Sequence, residues 1–226
     1  MINLVKPALD VGLYTNRIDE VRAFYEGELG LAYNHLLKAG RGVHQHRVDL
    51  DDAGGVLKLN DAREPLPESP SGYVGLAVVG DAPRALTDPD GLHVNVVASL
   101  PGDARVRVTI ASADPQAHDR WFADGIGAAR VGDGLYQLGA TLLAVIDTPG
   151  QPRNETMFAS GFRYLTVQVA DVVAEHARLV GTGFESATEP IRLGDVAAIS
   201  FVRDPGGNWL EISQRASLTG DLPGDL

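Results

Sequence analysis

The sequence predicts an α+β fold assembled from repeats of one small unit: a strand, a helix, then several strands joined by tight turns. Three observations point there. Apolar residues follow helical spacing in only three stretches, and the segments between them read as short β-runs punctuated by Gly and Pro. The order strand, helix, strands recurs from near residues 8, 105 and 161, a period of roughly 50 residues that asks for a repeat reading. A turn of one type also opens a strand twice. Asp88-Pro89-Asp90-Gly91 precedes residues 92–97, and Asp204-Pro205-Gly206-Gly207 precedes residues 208–213, 116 positions later.

The elements follow in order. A strand is expected over 8–14. Asn16 then stands as an N-cap before Ile18, Val21, Phe24 and Tyr25, which share helical spacing, and Gly30 stops the helix. Strands are expected over 43–50 and 55–60, and the Pro-rich residues 64–70 read as a linker. The second unit is abridged. Only eight residues separate Val79 from Asp88, too few for a helix and strands, so residues 73–99 read as a hairpin of strands 73–79 and 92–97. The third unit has a strand over 105–111, Asp114-Pro115 as cap and first helical residue, a helix through Trp121 and Phe122 towards Gly125, and β-structure over 135–146. The fourth has a strand over 161–169, a helix opened by Asp171 and closed by Gly181, and strands over 197–203 and 208–213. One helix on a small sheet leaves a sheet face uncovered, so units must pair. The expected division places a first half in residues 1–100, a second in 101–215 and a tail in 216–226.

Composition limits the function. The 226 residues carry 19 basic and 30 acidic side chains, a net charge of −11, and no basic run. Such a chain is repelled by phosphate backbones and anionic lipids, so nucleic acid and membrane surfaces are not expected partners. No apolar stretch is long enough to span a bilayer, and the expected location is the cytoplasm. With no Cys, thiolate nucleophiles and Cys-ligated metals are excluded.

Two stretches carry a family resemblance. Residues 11–16, with Ala23-Phe24-Tyr25 and Leu29-Gly30-Leu31, look like the opening strand–helix signature of the vicinal oxygen chelate superfamily, which contains glyoxalases, bleomycin-resistance proteins and extradiol dioxygenases. Phe201-Val202-Arg203-Asp204-Pro205-Gly206-Gly207-Asn208-Trp209-Leu210-Glu211-Ile212 resembles its closing signature. The resemblance implies tandem βαβββ modules forming two cup-shaped half-domains, the second module abridged. It also implies a divalent metal (Fe, Mn, Zn or Ni), held by His, Gln and Glu from the first and last strands of paired modules, where two adjacent substrate oxygens chelate. Carried over position by position, the ligand set is incomplete. In the carboxy-terminal pair Glu211 matches, while Tyr164, Arg107 and Ala144 do not. In the amino-terminal half the positions fall on Asp10, Lys58, Val74 and Asn95. No metal ligand is assigned.

Alternation puts Tyr164, Thr166 and Gln168 on one strand face, and Trp209 and Glu211 on another. If Glu211 faces the cup, these residues line it with Arg107 and Thr109; alternatively Glu211 and Arg107 form a buried ion pair. His44 and His46 alternate on their strand and point both rings the same way, and His93 alternates with Asn95. His35, His118 and His176 read as surface residues. Two functions remain open. One is an enzyme acting on a small oxygen-rich or aromatic metabolite, with Glu211 as base and Tyr164 or His46 as proton partner; Arg107, Trp209, Gln168, His44, His93, Asp10 and Lys58 would bind substrate. The other is a metal-free protein that sequesters a small molecule, with Trp209 stacking on it. Whether modules pair within one chain or across a homodimer decides whether Asp10 and Glu211 share a cup.

Overall fold

Asp114 and Asp171 act as the caps their positions predict. Each side chain accepts the backbone N–H three residues on, Ala117 and Ala174 respectively, both at 2.9 Å, a contact worth about 1 kcal/mol. Asn16 does not cap. The residue before the first helix is Arg17, and Asn16 instead bonds the Ala62 and Glu64 carbonyls and the Leu66 N–H, pinning the Pro-rich linker. The computed structural model describes residues 1–226 except Arg41 and Asp225.

The first module runs β1 (Asp10–Thr15), α1 (Ile18–Arg22, continued as a π-helical turn to Glu28), β2 (Tyr33–Gly40), β3 (Val43–Asp49) and β4 (Val56–Ala62). The abridged second is three strands without a helix among the described residues, β5 (Tyr73–Val79), β6 (Arg84–Thr87) and β7 (His93–Val97), one strand more than the hairpin expected. The third has β8 (Val106–Ser112), α2 (Pro115–Asp119, continued as a π-helical turn to Ile126), β9 (Ala129–Gly132), β10 (Leu135–Leu138) and β11 (Thr141–Asp147). The expected β-stretch over 135–146 thus splits at Gly139, whose φ is +58°. The fourth has β12 (Gly161–Gln168), α3 (Val172–Gly181), β13 (Glu185–Leu193), β14 (Ala197–Arg203) and β15 (Trp209–Arg215), followed by a short helix, α4 (Ala216–Thr219).

In every module the first and last strands lie side by side and parallel: β1 with β4, β5 with β7, β8 with β11, β12 with β15. The modules join through antiparallel first strands, and here the structure departs from the expected halves. β1 pairs with β12 and β5 with β8, so the first module joins the fourth and the second joins the third. One sheet has the order β13-β14-β15-β12-β1-β4-β3-β2 and the other β6-β7-β5-β8-β11-β10-β9. The sheets therefore do not follow the division at residue 100, and pairing occurs within one chain.

Val11, Val48 and Leu57 from one sheet and Val94, Val108 and Leu143 from the other enter a common core. The stacked rings of Tyr73 and Phe162, 4.6 Å apart, tie the two sheets together, and the Tyr73 hydroxyl donates to the Trp209 carbonyl at 3.1 Å. The two Asp-Pro turns have matching roles. Asp88 accepts the hydroxyl of Tyr25 from the first module's helical segment at 2.9 Å, and Asp204 meets Nε2 of His118 from α2 at 3.1 Å. His118 is buried, not on the surface as its position implied, because its Nδ1 also meets the buried Ser112 hydroxyl at 2.7 Å. His176 is buried as well. Among the described residues, no helix is long and apolar enough to cross a membrane.

Candidate active site

The pairing of first and fourth modules places β15, β12, β1 and β4 at the centre of the larger sheet. Their inward residues follow strand alternation: Asp10 and Gly12 from β1, Lys58 and Asn60 from β4, Tyr164 and Thr166 from β12, Trp209 and Glu211 from β15. Register sets Thr166 opposite both Asp10 and Glu211, and Gly12 opposite both Lys58 and Tyr164. Gly12 is required there, because the Tyr164 ring fills the space a β-carbon would take. Above this floor lies a cavity of about 500 Å³. Tyr14, Phe158, Tyr164, Phe201 and Trp209 supply aromatic walls, and Leu37, Ile191, Leu193 and Val196 an aliphatic rim.

At the floor the Lys58 ammonium donates to Thr166 Oγ1 at 2.6 Å and Glu211 Oε2 at 2.8 Å, and lies 3.7 Å from Asp10 Oδ2. The Thr166 hydroxyl passes its own proton towards Glu211 Oε2 at 2.8 Å. Asp10 is fully buried and also meets Lys6, the Val56 N–H at 3.2 Å, Gln168 Nε2 at 3.3 Å and Arg47 at 3.8 Å. Burial alone would raise the Asp10 carboxyl; Lys58, Lys6 and Arg47 together outweigh it and hold the group below the ordinary carboxylate range. Burial pulls the Lys58 ammonium down, and the attraction of Glu211 and Asp10 does not fully compensate. Burial first, then the Glu211 charge, pushes the Tyr164 hydroxyl well above its usual range, so it is a neutral phenol. Its oxygen accepts from Asn60 Nδ2 at 3.2 Å and Gln45 Nε2 at 3.4 Å, which leaves the phenolic proton to point elsewhere.

The sequence-predicted residues divide. Glu211, Tyr164, Lys58 and Trp209 line the cavity, with Asp10 and Gln168 beneath it. Arg203 covers one face of the Trp209 ring at 4.3 Å, so a ligand has at most the other. His44 and His46 are not in the site. They share a strand face with Val48, which belongs to the helix-covered core, and His46 lies beside Tyr33, their ring centroids 6.2 Å apart. The inward residues of β3 are Gln45 and Arg47. Arg107 on β8 and His93 on β7 belong to the other sheet, so neither reaches Glu211, and the buried partner of Glu211 is Lys58 rather than Arg107. Gln45, Asn60, Arg47 and Arg215 were missed by sequence reasoning. The phase of β3, fixed by Val48 as a core residue, was the signal that could have found the first and third.

The class defined by this fold is a paired-module cup with a charged floor. A family model described as Glyoxalase/Bleomycin resistance protein/Dioxygenase superfamily matches residues 8–212, and the chain belongs to that superfamily. Glyoxalase I from Zea mays superposes with a TM-score of 0.75 at 11% identity, covering 95% of this chain and 92% of that one. A putative dioxygenase from Bacillus subtilis gives 0.71 at 16% identity, covering 95% and 86%. The cppA protein from Streptococcus pneumoniae gives 0.55 at 12% identity, covering 94% and 99%. No curated protein matches the sequence. At these identities the likeness is one of fold.

The metal that membership implies does not fit the residues present. At the family's ligand positions stand Asp10, Lys58, Glu211 and, in place of the expected Tyr164, Thr166, which register sets opposite both Asp10 and Glu211. Lys58 already puts a cation between the two carboxylates, and Arg47 and Lys6 add further positive charge at Asp10. Among the described residues there is no group of three or more His, Asp or Glu side chains placed to hold an ion. A divalent cation here would face an ammonium in its own coordination shell.

Proposed function

We propose that this protein is a metal-independent enzyme that moves a proton on a small, largely apolar or aromatic molecule carrying a carbonyl or hydroxyl group. The observation that carries this reading is the carboxylate–ammonium pair Glu211–Lys58 on the floor of an apolar cavity, with the Tyr164 phenol beside it. Glu211 Oε2 is held by Lys58 and Thr166, while Oε1 has no hydrogen-bond partner among the described residues, so this oxygen is available to take a proton from a C–H or O–H of the substrate. Negative charge then developing on the substrate oxygen is met by the Lys58 ammonium and the free phenolic O–H of Tyr164, at the floor of a largely apolar cavity. The same proton returns from Glu211 to the neighbouring atom, so the overall step is an isomerisation with no oxidant or reductant.

The test is hydrogen exchange. Aryl ketones and aryl α-hydroxy ketones are incubated with the enzyme in D2O containing EDTA, and loss of the α-proton signal is followed by NMR. Wild type accelerates exchange for a subset, and Glu211→Gln lowers the rate by about 10² or more. The aromatic walls favour a second reading, sequestration without turnover. Ligands that bind the cavity while none exchanges would decide for it.

A further inference from the structure

Parallel pairing of β12 and β15 gives the cup two unlike ends. Tyr164 and Trp209 face each other at one end, and Gln168 and Ser213 at the other, with Arg215 beyond. β3 brings Arg47 opposite Lys58, next to the same polar end. The hydrogen bonding there is incomplete. Arg47 Nε, Arg215 Nε, Ser213 Oγ and Gln168 Oε1 are all buried, and none has a partner among the described residues. Arg47 is 6% exposed and Ser213 is fully buried, so water at the surface does not serve them. The charges are also unbalanced. Lys6, Lys58 and Arg47 already surround two carboxylates, Asp10 and Glu211, and Arg215 stands near enough to Arg47 to oppose its charge, in a chain whose net charge is −11. Arg215 lines the cavity and forms no ion pair with a described residue. Two guanidiniums that repel each other, each with a stranded N–H, are costly unless something negative joins them.

We propose that the polar end of the cavity is a carboxylate-binding subsite: a substrate carboxylate docks on Arg215, backed by Arg47 and the Ser213 hydroxyl. A planar carboxylate suits the Nε–Nη edge of a guanidinium, which it can accept from twice. The substrate class is therefore an aryl- or alkyl-substituted carboxylic acid, its anion at the Arg215 end, its apolar body against Tyr164, Phe201 and Trp209, and its reacting group between them over Lys58 and Glu211. This deepens the proton-transfer reading and rests on it for the position of the reacting group.

The experiment is calorimetric titration of wild type and Arg215→Gln with 3-phenylpropionate, 3-phenylpropionamide and phenyl phosphate. Arg215 is only partly buried, so its variant is expected to fold; an unchanged circular dichroism spectrum checks this. Wild type binds the carboxylate about tenfold tighter than the amide, and Arg215→Gln brings that ratio close to one. Equal affinities in wild type, a preference that survives in Arg215→Gln, tighter binding of phenyl phosphate, or no binding by any of the three overturns the assignment. The exchange assay separates the two proposals. A carboxylate preference without exchange removes the proton-transfer reading and leaves the subsite. Exchange with no carboxylate preference does the reverse.

Discussion

Lys58→Met tests the charged floor most directly. The ammonium is 1% exposed and donates to Glu211 and Thr166 at 2.8 and 2.6 Å. Met keeps much of the volume and removes the charge. Asp10 retains Lys6 and Arg47, so the loss falls chiefly on Glu211, 7% exposed and left without a cation in contact. Breaking one side of a buried pair costs about 3–5 kcal/mol. In a chain of this size each kcal/mol moves the melting temperature by about 2–4 °C, so a fall of about 6–20 °C is expected at pH 7.5. The pH dependence has a definite sign. In wild type the Asp10 carboxyl is depressed, so the stability it contributes is complete above its unfolded value and is lost only below, as pH falls through the lower folded one. Between pH 8 and 5 the wild type is thus flat with respect to Asp10. Urea unfolding of both proteins across that range reads the difference. A deficit under about 1 kcal/mol would refute the reasoning.

Four further outcomes are expected. Asp204→Ala removes the acceptor for His118 Nε2, the Asn208 N–H and Asn208 Nδ2, and is expected to cost about 3–5 kcal/mol in urea unfolding while ligand affinity in the remaining folded protein is unchanged. Gly12→Ala drives a methyl group into the Tyr164 ring; a loss of about 1–3 kcal/mol is expected, with an altered near-ultraviolet circular dichroism signal from the displaced phenol. Wild type purified without chelator is expected to hold no stoichiometric Fe, Mn, Zn or Ni by elemental analysis and to melt at the same temperature with EDTA. Lys58→Glu, which replaces the internal cation by a third carboxylate, is expected to gain melting temperature when Mn²⁺ is added.

The module pattern was legible because it is written locally. Helical spacing, two Asp caps and two Asp-Pro turns each depend on residues a few positions apart. Glu211 and Tyr164 were singled out through the family signature's ligand positions, and strand alternation then put Trp209 on the face of Glu211. The pairing of modules was not legible. β1 and β12 meet through backbone groups that any residues supply, so nothing in the side chains announces first-with-fourth, and Arg107 was assigned to the wrong cup as a result. The β3 histidines failed for a different reason. His44 and His46 were singled out by residue type, although the apolar Val48 in their phase marks the face that packs under the helix, and Gln45 and Arg47 took the cup. Lys58 stood among the expected ligand positions, but its meaning appeared only when both carboxylates were seen to converge on it.

First-with-fourth pairing also bears on how the chain reaches its native state. Asp10 and its neighbour Thr166 are 156 positions apart, and Glu211 comes later still, so the floor is a contact of high sequence separation. The sheet of β5 to β11 draws only on residues 73–147 and can close while the ribosome is still making the fourth module. Until β12 emerges, β1 presents an unpaired edge, with Asp10 and, on the neighbouring β4, Lys58 still in water. The cavity is thus the last part of the molecule to exist, and slow completion of the larger sheet would appear as a phase of refolding in which the smaller sheet is already protected from hydrogen exchange.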